Sequence, residues 1–260
     1  MILKCAGTGS SGNSYAIISD SGQILLIECG VNWKKTMRMI DYQVSNVTGC
    51  IASHAHQDHL KEYKKVLENW IPIYTNDETV VGFETVTGEL LKGIPEKKWF
   101  QCGEFKVMGF YVPHDGCPNY AYIIYHPESG YILYATDMML ISKVDENYMV
   151  RKENGHPVLW SFKNLRLNHL VIEVNYDLED LPDKGEKEFH VGYGHHSLQA
   201  CKRFIEDNKT FDLRTITLAH LSDDTNPNRV LEEIKSVSGN RVEVNVAVPG
   251  LEVELKRLPF

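Results

Sequence analysis

The stretch SHAHQDHL, residues 53–60, holds four candidate metal ligands within six positions, namely His54, His56, Asp58 and His59. A lone histidine is usually a hydrogen-bonded core or surface residue, but three imidazoles and a carboxylate buried together would leave costly unpaired polar groups unless an ion satisfied them. In extended backbone the side chains at i and i+2 point the same way, so His54 and His56 can converge on one ion. The turn that follows would direct Asp58 and His59 towards a second ion, so the stretch predicts a pair of divalent metals.

Three apolar runs further along the chain each end in another metal-binding side chain. They are YVPHDG, YATDM and TLAHLSDD, and they place His114, Asp137 and His220 at the ends of predicted strands. Strand ends can emerge at one sheet edge, so these groups can complete two sites. An aspartate can give one oxygen to each of two ions, which makes Asp137 the predicted bridging ligand. Imidazole and carboxylate sets accept zinc, manganese and iron with similar geometry, and we expect two divalent ions with zinc as the first choice.

The order of strand and helix patterns indicates an α/β fold. Strands are predicted near 2–7, 14–19, 23–28, 48–54, 105–113, 120–126, 131–136, 169–177, 214–220, 242–248 and 251–256. Helical spacing is found in NWKKTMRMIDYQ after a cap at Asn32, HLKEYKKVLENW, DETVVGFETVTGEL, SLQACKRFIEDN and NPNRVLEEIKSVSG. Two groups of strands, each followed by helices, predict two sheets packed face to face with helices outside. No linker divides the chain, so residues 1–260 are predicted to form a single domain.

The segment 138–166 lacks a clear period. Its large side chains include Met138, Met139, Tyr148, Met149, Trp160 and Phe162. We interpret the segment as an insertion that packs as a lid or contacts a second subunit, which leaves a homodimer open, and a helical hairpin added to the core is an equal alternative. Tyr148, Trp160 or Phe162 could stack on a nucleotide base, although core packing is the commoner use of such residues.

Composition narrows the partners and the compartment. Thirty-five acidic and 27 basic residues give a net charge of −8, which opposes non-specific binding to a phosphate polymer and favours a small substrate. The six cysteines form no CxxC pair, so neither a disulfide framework nor a zinc ribbon is predicted. No apolar run is long enough to cross a membrane, and the N-terminus lacks a secretion signal. We therefore expect a cytoplasmic protein with no membrane partner, located in the host cytoplasm if the protein is viral.

The motif HxHxDH at 54–59, followed by a strand-end His, a strand-end Asp and a late His, resembles the metallo-β-lactamase superfamily of two-metal hydrolases. The resemblance spans nearly the whole chain and implies an αββα four-layer sandwich with an insertion near 138–166. It also implies that one metal is bound by His54, His56 and His114, the other by Asp58, His59 and His220, and both by the bridging Asp137.

Further stretches resemble the phosphodiesterase branch of this superfamily. They are GTGSSGNSY at 7–15, LLIECG at 25–30, IEVNYD at 172–177, GHHS at 194–197 and HLS at 220–222. The branch includes RNase Z-like enzymes, WalJ/YycJ-like exonucleases and phage anti-Pycsar enzymes that cleave cyclic mononucleotides. LLIECG places Glu28 where the branch commonly has aspartate, which leaves the supporting role of this residue open.

The chemistry of such a site suits a phosphodiester. A water between two cations ionises near neutral pH, and the resulting hydroxide can attack phosphorus while the metals neutralise the phosphoryl oxygens. The leaving alkoxide then needs a proton, and His195 in GHHS is the predicted general acid with Glu173 as its carboxylate partner. His196 is the alternative general acid, because the run here is one residue shorter than the RNase Z form. Asp58 joins the predicted catalytic residues as a metal ligand.

The sequence thus predicts a two-metal phosphodiester hydrolase that opens cyclic mononucleotides. A nuclease of the WalJ/YycJ-like or RNase Z-like kind, with nucleic acid as its partner, is the first alternative. A nuclease needs a basic track for several phosphates, and no dense Lys/Arg run lies near the metal motifs. A non-catalytic nucleotide-binding protein is the second alternative, although structural zinc sites are usually closed.

Overall fold

Two seven-stranded sheets make up the centre of the computed structural model, which describes residues 1–83, 88–179 and 194–258. The first sheet has the order β16-β1-β2-β3-β4-β5-β6, formed by β1 (Ile2–Gly7), β2 (Ser14–Ile18), β3 (Ile24–Ile27), β4 (Val47–Ile51), β5 (Ile73–Thr75), β6 (Leu91–Gly93) and β16 (Glu252–Glu254). The second has the order β15-β14-β13-β10-β9-β8-β7, formed by β7 (Phe100–Cys102), β8 (Phe105–His114), β9 (Cys117–His126), β10 (Gly130–Ala135), β13 (His169–Glu173), β14 (Thr215–Ala219) and β15 (Glu243–Val246). A separate ribbon pairs β11 (Lys152–Glu153) with β12 (His156–Pro157).

Helices lie on the outer face of each sheet. The first sheet packs against α1 (Trp33–Met39), α2 (Gln57–Leu60), α3 (Tyr63–Glu68) and α4 (Asp77–Val81), and the second against α5 (Leu198–Asn208) and α6 (Pro227–Ser238). Short 3-10 turns occur at Val44–Asn46 and Gly88–Leu90. Among the helices of the described residues, none is both long enough and apolar enough to cross a membrane.

Both faces of the central strands are buried. In β10, Ile132 and Tyr134 point into the layer between the sheets, while Leu133 and Ala135 point towards α5 and α6. Burial on both faces explains why YILYA reads as a continuous apolar run rather than an alternating one. The order of layers is helix, sheet, sheet, helix, so the αββα sandwich predicted from the sequence is confirmed.

Two predicted helices differ from those observed. HLKEYKKVLENW was expected as one helix, but α2 ends at Leu60 and α3 begins at Tyr63. The break occurs where the amide of Glu62 donates to the carbonyl of Cys29, a long-range contact that the local pattern does not encode. DETVVGFETVTGEL forms an α-helix over Asp77–Val81 and a 3-10 turn over Gly88–Leu90, and its residues 84–87 lie outside the described part of the chain.

The insertion at 138–166 is not a helical hairpin, so that alternative was wrong. The whole segment is described and contains no helix, and its regular part is the ribbon of β11 and β12. Asn154 and Gly155 join these strands with φ of 52° and 80°, the left-handed pair that favours a two-residue hairpin. Met138 and Phe162 are buried in the core beneath α5. Both ends of the insertion are therefore fixed to the domain.

His169 is a buried histidine far along β13 from the metal motifs. Its Nδ1 lies 2.8 Å from the hydroxyl of Thr215, and burial lowers its pKa to about 3. In the unfolded chain His169 is protonated below about pH 6.5, whereas in the folded chain it stays neutral down to about pH 3. The free energy of unfolding therefore decreases as the pH falls from about 6.5 towards 3. We expect His169→Asn, which does not titrate, to reduce the loss of unfolding free energy between pH 7 and pH 5 by about 2 kcal/mol in urea titrations. Equal losses in the two proteins would contradict this assignment.

Candidate metal centre and active site

The HxHxDH motif spans the loop after β4 and the start of α2, which contains Asp58 and His59. Two backbone hydrogen bonds from other segments fix the backbone of this motif. The amide of Asn13 donates to the Asp58 carbonyl at 2.7 Å, and the amide of Cys29 donates to the His59 carbonyl at 2.8 Å. Gly30 lies against the Asp58 carbonyl, and a Cβ on Gly30 would come 1.6 Å from that carbonyl oxygen. The glycine-rich N-terminal turns thus set the position of the metal-binding loop.

Gly30→Ala tests this support. The added methyl group collides with backbone rather than with a flexible side chain, so the loop must move, and we expect a loss of about 1–3 kcal/mol of stability together with weaker metal binding. Thermal unfolding and metal content after gel filtration would measure both effects. Gly82→Ala is the matched control, since its Cβ would meet nothing closer than 3.5 Å. Equal behaviour of the two variants would contradict the proposed role of Gly30.

The first group of candidate ligands is His54, His56 and His114, whose ligand atoms lie within 4.8 Å of one another. The Nδ1 of His56 is 2.9 Å from the Nε2 of His54 and 3.2 Å from the Nε2 of His114. Zinc–nitrogen bonds of about 2.0–2.1 Å in a tetrahedron separate neighbouring ligands by about 3.3 Å. The three nitrogens are therefore spaced as ligands of one ion.

The second group is Asp58, His59, Asp137 and His220, again within 4.8 Å. The Nε2 of His59 is 3.3 Å from Asp58 Oδ2 and 3.0 Å from Asp137 Oδ2. The Nε2 of His220 is 3.4 Å from Asp137 Oδ1 and 3.7 Å from Asp58 Oδ2. These separations also fit a tetrahedral ion. The structure thus brings together all seven side chains that the sequence proposed as ligands, with Asp137 grouped with the second set.

The third group joins Glu173 and His195 to Asp137 and His220. Glu173 is fully buried at the end of β13, and its Oε1 lies 2.7 Å from His195 Nδ1 and 3.1 Å from His220 Nδ1. Asp137 Oδ1 is 3.7 Å from His195 Nδ1. Asp137 thus belongs to the second and third groups, and its predicted bridge to the first ion stays a prediction.

His195 and His196 occupy different environments. The side chain of His195 is 14% exposed and pairs with the Glu173 carboxylate. The ring of His196 is buried, and its Nδ1 lies 3.1 Å from the Glu173 main-chain carbonyl instead. The arrangement favours His195 as the proton donor, because His196 faces away from the carboxylate that would raise its basicity.

The electrostatics of the second and third groups indicate a need for positive charge. Burial lowers the pKa of His220, but Asp137 and Asp58 outweigh this effect and raise it to about 10. Burial raises the pKa of Glu173, yet His195 and His220 lower it to about 2. Two buried atoms, Asp137 Oδ2 and His220 Nε2, have no hydrogen-bond donor or acceptor of suitable geometry among the described residues. A divalent cation fits this carboxylate-rich set and would bind both of these unpartnered atoms.

Three residues support the ligands: Glu28, whose role the sequence left open, and Asn13 and Asn175, which the sequence reasoning did not identify. Glu28 accepts from the Ser53 amide at 3.2 Å and lies 3.3 Å from His59 Nδ1, so it fixes the ring of a candidate ligand. Asn13 Nδ2 lies 3.1 Å from His59 Nε2, and Asn175 Nδ2 lies 3.1 Å from His220 Nδ1. These residues stand in LLIECG, GTGSSGNSY and IEVNYD, the stretches that carried the resemblance, but spacing alone gave them no role.

Three site residues have left-handed backbone. They are Glu28, Asp137 and His220, with φ of 61°, 53° and 53°. Such conformations cost on the order of 1–3 kcal/mol each in a residue other than glycine and persist where surrounding contacts impose them. His220 is held by its amide donating to the Thr8 hydroxyl at 2.9 Å. Three of the eleven non-glycine residues with left-handed backbone in the described part of the chain thus lie at the candidate metal centre.

The insertion borders the first group. Asn147 and Met149 lie near Gly116, in the turn that follows His114. The hydroxyl of Tyr148 donates to Glu78 at 2.7 Å, which ties the insertion to α4. Of the three aromatic residues suggested for base stacking, only Tyr148 lies in the part of the insertion that contacts this turn, Asn147–Met149. Phe162 packs against Phe110 and Phe204 in the core, and Trp160 also packs on Phe110.

Comparison with known proteins supports the fold and one part of the sequence resemblance. The family model for the anti-Pycsar protein Apyc1 matches residues 2–67, which contain the HxHxDH loop and the N-terminal turns beneath it. The sequence has no significant match among curated proteins.

Similar solved structures cover almost the entire chain. The metallo-β-lactamase fold protein YhfI from Bacillus subtilis superposes with a TM-score of 0.70 at 20% identity, over 97% of this chain and 98% of that one. Unliganded yeast PDE1 gives 0.66 at 14% identity over 96% and 98%, and the short form of human tRNase Z gives 0.63 at 16% over 98% and 99%. At these identities the likeness establishes the metallo-β-lactamase fold.

Proposed function

We propose that this protein is a two-metal phosphodiesterase that opens cyclic mononucleotides to linear nucleoside monophosphates. The observation that carries the proposal is the juxtaposition of two ligand sets with a Glu173–His195 pair, at a site to which both sheets contribute. Ligand sets alone would suit many hydrolytic reactions of this fold. The match of residues 2–67 to the anti-Pycsar family model supports the choice of a cyclic nucleotide.

The seven candidate ligands and the Glu173–His195 pair have different tasks in the proposed reaction, namely metal binding and proton donation. Two divalent ions held by the seven ligands would supply Lewis acidity to the phosphoryl group and acidify water between them. Glu173 accepts a hydrogen bond from His195 Nδ1 at 2.7 Å, which assigns the transferable proton to Nε2. Burial lowers the pKa of His195, but the Glu173 carboxylate outweighs burial and raises it. The pairing favours the protonated ring, which would donate to the leaving ester oxygen.

The surroundings favour a small substrate over a polymer. The loop at Asn147–Met149 borders the turn after His114, and Tyr148 and Tyr111 both donate to Glu78 beside it. Their rings are 5.1 Å apart, and we assign this aromatic pair to stacking on the nucleotide base. The chain's net charge of −8 opposes the counterion-driven binding on which a nuclease depends.

A substrate panel tests the proposal. We expect the purified protein with zinc or manganese to convert 3′,5′-cyclic mononucleotides to linear monophosphates, and to act much more slowly on single-stranded DNA and precursor tRNA. Product chromatography would distinguish these activities. A His56→Ala variant, purified in parallel, should be inactive on every substrate, which controls for contaminating hydrolases. Turnover of the polymers alone would favour a nuclease and overturn the assignment.

Metal removal gives a separate test. Dialysis against a chelator is expected to abolish turnover, and addition of about two equivalents of divalent metal should restore it. Because the ions fill a carboxylate-rich buried site, the chelated protein should also unfold at a lower temperature. Full activity in the chelated protein, shown metal-free by elemental analysis, would exclude the proposed chemistry.

A further inference from the structure

Glu78 is an exposed carboxylate in the first turn of α4, and α4 is fixed to the loops that carry the first group of candidate ligands. The side-chain amide of Asn76, the N-cap of α4, donates to the Ser53 carbonyl at 3.1 Å and to the Pro118 carbonyl at 3.3 Å. Ser53 directly precedes the HxHxDH motif, and Pro118 follows the turn that the insertion borders. The position of Glu78 is therefore set relative to the metal centre.

Two tyrosine hydroxyls orient this carboxylate. The hydroxyl of Tyr148 donates to Glu78 Oε1 at 2.7 Å, and the hydroxyl of Tyr111 donates to Oε2. Burial raises the pKa of Glu78, but these two hydrogen bonds outweigh burial and lower it. An ionised carboxylate has about four acceptor positions, two on each oxygen. Each oxygen of Glu78 thus keeps a free acceptor position, and the two oxygens are neighbours.

The carboxylate lies within reach of a base whose phosphate is at the metal centre. Tyr111 precedes the candidate ligand His114 by three residues in β8, which separates them by about 10 Å along an extended strand. Tyr148 stands between Asn147 and Met149, which border the turn after His114. These spacings are comparable to the distance from the phosphate to the base edge of a mononucleotide. A base stacked on the two tyrosine rings would therefore direct its edge towards the carboxylate between their hydroxyls.

Two neighbouring acceptors distinguish the four common bases. Guanine has two adjacent N–H donors on its Watson–Crick edge, N1–H and the 2-amino group, and can bond to both carboxylate oxygens. Adenine and cytosine have one amino donor beside a ring-nitrogen acceptor, and uracil has its N3–H between two carbonyl oxygens, so each of these bases sets at least one acceptor against the carboxylate. A bidentate bond to an ionised group adds both energy and geometric specificity.

We propose that Glu78 binds the Watson–Crick edge of the substrate base and selects guanine, so that the preferred substrate is a guanine cyclic mononucleotide. This inference rests on the proposed function and deepens it by naming the base. Glu78 contacts the base and not the phosphate, so it determines the choice of substrate. A purely structural role, in which Glu78 only ties α4 to the insertion, would affect all bases equally.

The base preference is measured by kcat/KM on the 3′,5′-cyclic nucleotides of guanine, adenine, cytosine and uracil. We expect the value for cyclic GMP to exceed each of the other three at least about tenfold, because a hydrogen bond to a charged group contributes about 1.5–3 kcal/mol. Cyclic IMP keeps N1–H but lacks the 2-amino group, and it should lose most of this advantage.

Glu78→Gln tests the residue, because the amide replaces one of the two free acceptors by a donor. We expect the ratio of kcat/KM for cyclic GMP to that for cyclic AMP to fall at least about tenfold. Glu68→Gln is the matched control, since it removes the same charge from an exposed position on α3, beside Lys65, and should keep the wild-type ratio.

Two results would overturn the assignment of guanine while leaving the phosphodiesterase proposal intact. One is similar kcat/KM for all four cyclic nucleotides in the wild type, and the other is a loss in Glu78→Gln by the same factor on every base. The absence of turnover on every cyclic nucleotide would overturn both proposals.

Discussion

Asp137→Asn is expected to lower kcat for phosphodiester hydrolysis by roughly 10³-fold or more, equivalent to about 4 kcal/mol of transition-state stabilisation. Asp137 belongs to two of the three ligand groups, with Oδ2 at 3.0 Å from His59 and Oδ1 at 3.4 Å from His220. The amide has the same shape but no charge. We therefore expect lower metal content, measured by elemental analysis, together with the loss of turnover on the cyclic nucleotide.

Asp41→Asn is the matched control for this variant. Asp41 also has left-handed backbone, with φ of 50° against 53° for Asp137, and it lies on the surface beside Lys4. Asparagine tolerates that conformation as well as aspartate does, so both variants should keep their backbone. The control should retain full activity. Wild-type turnover and metal content in Asp137→Asn would show that Asp137 is not a ligand.

His195→Ala is expected to reduce kcat by about 10²–10⁴-fold on a cyclic nucleotide, because the departing alkoxide then lacks its proton donor. The same variant should lose less than about tenfold on a p-nitrophenyl phosphodiester, whose leaving group departs as a stable phenolate. Comparing kcat for the two substrates separates proton donation from structural damage. Structural damage would lower both rates equally.

Glu173→Gln adds a test of the pair. Its carboxylate acts through His195, so the double variant should be little worse than His195→Ala on the cyclic nucleotide. Glu173 also lies 3.1 Å from the candidate ligand His220, so metal content must be measured in each variant. Independent, multiplicative losses at unchanged metal content would mean that Glu173 does not work through His195.

Much of the fold was predictable because its determinants are local. The β10 run YILYA and the N-cap at Asn32 behave as their patterns indicate, with Asn32 accepting from the Lys34 amide. The His and Asp residues at strand ends also come together as predicted, although β4 belongs to the first sheet and β8, β10 and β14 belong to the second. These features need only chain periodicity and residue type.

Other features depend on contacts that periodicity does not report. The break before α3 follows from the bond between Glu62 and Cys29, which are distant in sequence. The support of His59 by Glu28 is likewise invisible until β3 lies beside β4. The ribbon in the insertion is a different case. Asn154-Gly155 in KENGHP is a strong hairpin signal, but the exposed flanking pairs Lys152-Glu153 and His156-Pro157 lack the alternating apolar residues that indicate strands.

The bond between His220 and Thr8 spans 212 positions of the chain, and it has a consequence for biosynthesis. The HxHxDH segment leaves the ribosome long before β14 and the turn that follows it. A nascent chain can thus offer an ion only a partial ligand set, and tight capture must wait until the last strands have docked. Ion uptake would then mark the completion of folding rather than guide its beginning.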